Sequence, residues 1–300
     1  MSDYDPGPSC SPAPASYSRR IMKKPSSDGR RTPRRIFSLF RWLRELLTGR
    51  GTSPPQTERD TAAVRWSFDD LAADYPLLWS LPARDKRHLP TLVEQFLAEK
   101  KFWGAQDLQV TDRMKAFVAA QACMLILRLP NLGLFPKTKE IILYPSEIGD
   151  RIDAIGPDGT TYWIEPDKIG ETWNRGPVLL SWDRLQGSRR SPAGGSNTVF
   201  HEFAHALDYL TGEADGRPPM ESPGQEKTWK RVMTSAYRSH LSDVQTGRRT
   251  FIDPYGATNP AEFFAVCTEH FFTQPKRLSK SNLALYSALA RFYRQDPAAW

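Results

Sequence analysis

Cysteine is scarce in this chain and follows no pattern. Cys10, Cys123 and Cys267 are the three present, far apart and without a C-x-x-C pair, so neither a disulfide framework nor a thiolate metal site is indicated. That usage fits a reducing compartment, and a cytoplasmic location is expected. Long apolar runs are missing as well. The most apolar stretch, Phe117 to Leu129, is interrupted by Gln121 and Arg128; it falls short of the ~20 residues a spanning helix needs and reads as a buried helix. The opening MSDYDPGPSCSPAPAS sets acids and prolines where a secretory leader needs basic residues and an apolar core. Further in, Arg34-Arg35-Ile36-Phe37-Ser38-Leu39 loosely resembles a twin-arginine signal, but Arg41, Arg44 and Glu45 stand in what should be its uncharged region. Histidine is also rare, with five in 300 residues, so a regular spacing between two of them carries information.

The charge excess is local. Residues 1–65 carry 13 Lys/Arg against 6 Asp/Glu, whereas residues 66–300 carry 28 of each, so the whole formal +7 lies in the N-terminal segment. A nucleic-acid binder needs a basic face on its folded domain. Here the body is neutral, and no nucleic-acid partner is expected.

Composition divides the chain at about residue 65. Residues 1–34 are rich in Pro, Ser, Gly and Arg with little to bury, which predicts disorder. In residues 35–47, Ile36, Leu39, Phe40, Leu43, Leu46 and Leu47 recur at helical spacing with basic residues opposite, an amphipathic pattern that suits packing on the chain's own domain, a partner or an anionic membrane surface. Residues 48–55 read as a linker. Beyond Trp66 the pattern is globular. Helical periodicity covers the regions from Arg87 to Lys100 and from Asp112 to Leu127, followed by strand-like runs at Glu140 to Tyr144, Thr161 to Ile164 and Pro177 to Trp182. Helices return from about Ser196. With no internal repeat, the expectation is one α+β domain over 66–300, with helices around a small sheet.

The segment with most chemistry is Ser196-Asn197-Thr198-Val199-Phe200-His201-Glu202-Phe203-Ala204-His205-Ala206-Leu207-Asp208. Ser196 or Asn197 suits a helix cap, Gly212 suits an end, and Phe200, Phe203, Ala204 and Leu207 form an apolar stripe. Histidines four apart then share one helix face and can grip one Zn²⁺, while the glutamate between them reaches water on the metal. Neutral imidazoles bind the borderline-soft ion, and the carboxylate removes a proton as water attacks a carbonyl. Two histidines leave a catalytic zinc one protein ligand short. The extended pattern with a third histidine fails, because Asp208 and Thr211 occupy its Gly and His positions. Glu262 in the first turn of a helix begun by Asn259-Pro260 is the preferred third ligand, with His240, Glu269 and His270 as alternatives. Zinc suits this donor set, though other first-row ions take the same ligands.

HEFAHALD together with Tyr255-Gly256-Ala257-Thr258-Asn259-Pro260-Ala261-Glu262-Phe263-Phe264-Ala265-Val266 resembles the Mlc titration factor A family of zinc peptidases. The likeness extends to WSLPARDKRHLPTLVEQFLAEKKFWG, EIILYPSEI, GPVLLSW and ALARFYRQDP, and spans about residues 75–297. It implies a zincin-like fold of the gluzincin type, with a site related to that of anthrax lethal factor. His201, His205 and Glu262 would hold one zinc ion, Glu202 would be the catalytic base, and Tyr255 matches the family's catalytic tyrosine, a donor to the developing oxyanion. Asp208 and Glu269 fall in matching segments, either able to orient a ligand imidazole, with Asp208 preferred. His270 departs from the pattern, standing where an aromatic is usual. The strand from Pro177 to Trp182 is a candidate edge for an extended peptide. The implied activity is an aminopeptidase-like hydrolysis of peptides, linked to regulation of sugar uptake. The implied partners are a peptide or protein substrate and a transcriptional repressor of the Mlc type. The alternative implied function is a regulator that sequesters such a repressor, with incidental peptidase activity.

Overall fold

The run Glu140–Tyr144 forms the middle strand of a small parallel sheet. In the computed structural model of the protein, residues 64–104, 108–145, 152–155, 161–164, 177–190 and 195–300 are described. The expectations for 1–34, 35–47 and 48–55 lie outside the described residues. In chain order the regular elements are α1 (Phe68–Asp74), α2 (Leu77–Ser80), α3 (Ala83–Glu99), β1 (Lys101–Gly104), α4 (Asp112–Ile126), β2 (Glu140–Tyr144), β3 (Ile152–Ile155), β4 (Thr161–Ile164), β5 (Val178–Ser181), α5 (Trp182–Arg190), α6 (Thr198–Asp208), α7 (Pro223–Gln245), α8 (Pro260–Thr273), α9 (Pro275–Ser281) and α10 (Leu283–Tyr293). Among the described residues the protein is mostly helical, with few strands.

The three-stranded sheet has the order β1-β2-β5, with both pairings parallel. Parallel neighbours need a crossover, and α4 supplies it between β1 and β2. The centre of the middle strand, Ile141 to Leu143, is apolar and buried because both of its faces are covered. Ile141 and Leu143 face the main core, while Ile142 packs on the other side with Trp103, Tyr144 and Leu179. Strands β3 and β4 pair antiparallel as a separate two-stranded unit. No helix of the described residues is long and apolar enough to cross a membrane.

Helix α4 is the most buried element on the N-terminal side. Thr111 caps it, accepting a hydrogen bond from the Met114 amide, and every residue from Ala116 to Ile126 is buried. Helix α6 runs through the centre. Its Phe203 ring meets Phe135 at 4.7 Å and Phe96 at 5.8 Å between centroids, and its Phe200 ring meets Phe272 of α8 at 5.0 Å. These contacts fix α6 against α3 on one side and α8 on the other, so the polar face of α6 is turned toward the start of α8. After Asp208 the chain tightens into a short 3-10 turn, Tyr209–Thr211, and leaves it at Gly212 with φ 112°, a left-handed conformation that glycine adopts without strain.

Candidate metal centre

Asn197 starts the site helix. Its side-chain oxygen accepts the Phe200 amide at 3.0 Å, and its amide nitrogen donates to Tyr75 Oη at 3.0 Å and Gln121 Oε1 at 2.7 Å. All three of these polar residues are buried, so the helix start is locked to α4 and to the turn after α1. One turn further on, His201 and His205 project from the same face, with ring centroids 4.8 Å apart.

Helix α8 brings the carboxylate. Asn259 caps it by accepting the Glu262 amide at 2.9 Å, and Pro260 opens its first turn. Glu262 Oε2 then lies 3.0 Å from His201 Nε2 and 3.4 Å from His205 Nε2, and the two Nε2 atoms are 3.2 Å apart. Among the described residues these three side chains form the group able to hold a metal ion, one ligand atom from each. A tetrahedral zinc with bonds of about 2.0–2.2 Å separates its ligands by about 3.3 Å. The donor set and its spacing fit such an ion.

The opposite edge of the His201 ring faces Glu269, with Nδ1 donating to Oε1 at 2.7 Å. The other Glu269 oxygen accepts the backbone amide of Asn197. With its proton on Nδ1, His201 offers the Nε2 lone pair to a metal. Burial alone opposes an imidazolium here, but the hydrogen bonds to Glu262 and Glu269 outweigh it and hold the His201 pKa well above 6.5. For Glu262, burial pushes the carboxyl up, yet the two imidazoles win and hold it well below the usual carboxylate range. Glu202 goes the other way. Burial raises its pKa, only partly countered by His201 and His205.

The family model for the glucose-regulated metallo-peptidase M90 matches residues 55–294. The chain belongs to that family. It is 35% identical over 226 residues to an uncharacterised protein of Synechocystis sp., covering 74% of this chain and 81% of that protein. It is 30% identical over 247 residues to Mlc titration factor A of Salmonella arizonae, covering 82% and 97% of the two chains. The same-named protein of Salmonella gallinarum is 29% identical over 247 residues, 82% and 92% of the two. Membership of a metallo-peptidase family implies a metal, and among the described residues the group able to hold one is His201, His205 and Glu262.

The remaining residues singled out in the sequence divide into those near the cradle and those set apart. Tyr255, in the 3-10 turn Pro254–Ala257, is 40% exposed, with its ring centroid 5.9 Å from that of His201. Of the two carboxylates considered as orienting groups, the order of preference is reversed: Glu269 contacts His201, while the buried Asp208 accepts the Gly216 amide at 2.7 Å and so holds the loop after α6. The signal for Glu269 was its place seven residues after Glu262, two turns along one helix and therefore on the same face. His270 and His240 are buried outside the ligand group. His270 packs on Phe251 at 4.8 Å, and His240 donates from Nε2 to the Asp253 carbonyl at 3.1 Å. Asn197 serves as more than a cap, because its amide also meets Glu269, and no local sequence signal announces that link.

Proposed function

We propose that this chain is a zinc peptidase in which His201, His205 and Glu262 hold the ion, Glu202 is the general base, and Tyr255 donates a hydrogen bond to the oxyanion. The observation that carries this reading is the convergence of the three ligand atoms at 3.0–3.4 Å, beside a glutamate whose burial raises its proton affinity. A zinc ion in this cradle supplies Lewis acidity toward a carbonyl and toward water. Glu202 takes the proton of the attacking water at its carboxylate and returns it to the leaving amine, a task suited by a raised pKa. Tyr255 stands beside His201 and offers its phenol O–H to the charge that forms on the substrate carbonyl oxygen. Residues 66–300 are assigned as the peptidase domain and 1–65 as an extension of it. The order of a strand, the helix with both histidines and a later helix with the glutamate supports a zincin-like fold of the gluzincin type. Strand β5 lies at one edge of its sheet among the described residues, which suits an extended peptide, including one held at its amino end.

Metal analysis of wild type and Glu262→Gln, with hydrolysis of amino-acid anilides by wild type and Glu202→Gln, tests the assignment. About one zinc per wild-type chain, its loss from the first variant and a loss of turnover by orders of magnitude in the second are expected. Full zinc occupancy in Glu262→Gln would sink the ligand set.

The name of the Salmonella relatives supports a second reading, in which this chain binds a repressor of the Mlc type. Glu202→Gln separates the two: a binder keeps its partner affinity in that variant while a peptidase loses its turnover.

A further inference from the structure

The turn that carries Tyr255 is held from behind by α7. His240, 5% exposed, donates from Nε2 to the Asp253 carbonyl at 3.1 Å; a carbonyl only accepts, so Nε2 carries the proton. One turn earlier on the same helix, Tyr237 donates its hydroxyl to the Ala257 carbonyl at 3.3 Å. The two bonds bracket Tyr255, one on each side. Both rings also pack on Phe263, with centroids 5.7 Å and 5.6 Å away, and Phe263 is the neighbour of Glu262 in the first turn of α8. Between them Gly256 lies close against both: a β-carbon there would be in ordinary van der Waals contact, 3.5 Å from His240 Nε2 and 3.6 Å from the Phe263 Cα. The turn itself is closed by the Asp253 side chain accepting the Tyr255 amide at 2.9 Å, with further bonds from the Gly256 amide to the Asp253 carbonyl and from the Thr258 amide to the Tyr255 carbonyl.

We propose that Tyr237 and His240 are positioning residues, which clamp the Tyr255 turn onto α8 and so set where the Tyr255 phenol stands relative to the metal cradle. This rests on the reading of Tyr255 as the oxyanion donor. The same two side chains touch the turn and the helix start that carries Glu262, so a shift of one relative to the other requires breaking a hydrogen bond and a ring contact together. An ångström of displacement at such a donor is enough to cost roughly a hundredfold in rate.

The test uses full-length zinc-loaded protein with Tyr237→Phe, His240→Ala and His240→Gln, each made in wild type and in Tyr255→Phe. Tyr255→Phe is expected to lower kcat by about 10²–10³-fold. Tyr237→Phe and His240→Ala are expected to lower kcat about tenfold with zinc content and KM close to wild type, and His240→Gln, whose amide donates at a similar reach, to recover most of that loss. In the Tyr255→Phe background the same changes should cost nothing further, since the group they position is gone. An equal loss in both backgrounds overturns the proposal in favour of a general structural role. Wild-type turnover in Tyr255→Phe overturns the reading of Tyr255 and, with it, the catalytic part of the clamp. Hydrogen exchange provides a readout without turnover: the amides of Tyr255, Gly256 and Thr258 should exchange faster in Tyr237→Phe and His240→Ala while those of α6 stay as in wild type. Unchanged exchange in both variants overturns the clamp itself.

Discussion

Glu269 and His201 are joined edge to edge, with the imidazole Nδ1 donating to the carboxylate at 2.7 Å on the side of the ring away from Glu262. The carboxylate has a second duty, because its other oxygen accepts the amide of Asn197, four residues before His201. The ring tautomer and the seat of the helix start therefore depend on one buried side chain, 6% exposed.

Replacement of Glu269 by Gln leaves one acceptor for two donors, so either His201 Nδ1 or the Asn197 amide faces an NH₂ group. Loss of such a support to a ligand histidine costs about 10–100-fold in metal affinity. Competition against a chromophoric chelator should give that loss for Glu269→Gln. An unchanged zinc affinity would mean that the tautomer of His201 is set without Glu269.

Asp208 makes the stability depend on pH in a direction opposite to most carboxylates. Burial pushes its pKa up from 3.8 to about 6, with the Gly216 amide pulling only partly back. A pKa higher in the folded state means that the folded state binds the proton more tightly. The contribution is thus complete below about pH 4 and is lost as pH rises through about 6. Between pH 5 and 8 this group removes about 1–2 kcal/mol from wild type. Asp208→Asn keeps an oxygen for the Gly216 amide and has no charge to bury, so urea denaturation should show the variant gaining on wild type by that amount between the two pH values. A constant difference would refute the assignment.

Gly195 is placed where a side chain does not fit. Its φ is 91°, and a β-carbon would stand 2.7 Å from His270 Cε1 and 2.8 Å from Gln274 Nε2. Its carbonyl accepts from Thr273 Oγ1 at 3.2 Å, so the segment just before α6 lies directly on α8. Gly195→Ala should cost about 1–3 kcal/mol in strain, and because His270 adjoins Glu269 it should also weaken zinc binding. Thermal melts and zinc titration of this variant check both; wild-type values would mean that the two helices have slack at this contact.

The local signals in the sequence were strong where one helix turn or one strand carries the pattern. The strand at Glu140–Tyr144 and the strand at Thr161–Ile164 stand at the predicted residues, and α4 begins at the predicted Asp112 and ends one residue before the predicted Leu127. Helix α3 starts at Ala83, a turn before the predicted region, and continues through Pro90; burial of Leu89, Val93 and Phe96 outweighs the lost backbone bond. Strand β1, with its exposed ends, showed no alternation to read. That the sheet is parallel also lay beyond the local pattern, since strand direction depends on how α4 crosses over. At the site, the histidine spacing and the Asn259-Pro260 start of α8 were legible one element at a time. The grip of Glu269 on both His201 and Asn197, and that of α7 on the Tyr255 turn, join segments 68 and 72 or 13 and 20 residues apart. Such links are made by packing, and a single sequence does not display them.

Metal removal offers a test that needs no substrate. Two imidazoles and a carboxylate converge on one point, each 17% exposed or less, and a bound ion ties α6 to α8 across that point. Anything that binds the folded chain and not the unfolded one stabilises it by RT ln(1 + [L]/Kd), about 2.7 kcal/mol at a hundred times Kd. For a folded body of this size that is a Tm change of about 5–10 °C. Dialysis against a chelator should lower the Tm by that much and zinc should restore it, whereas Glu262→Gln should melt at nearly the same temperature with and without zinc. A wild-type Tm that ignores the chelator, after elemental analysis has verified that the ion is gone, would mean that the cradle does not bind zinc tightly enough to join the two helices.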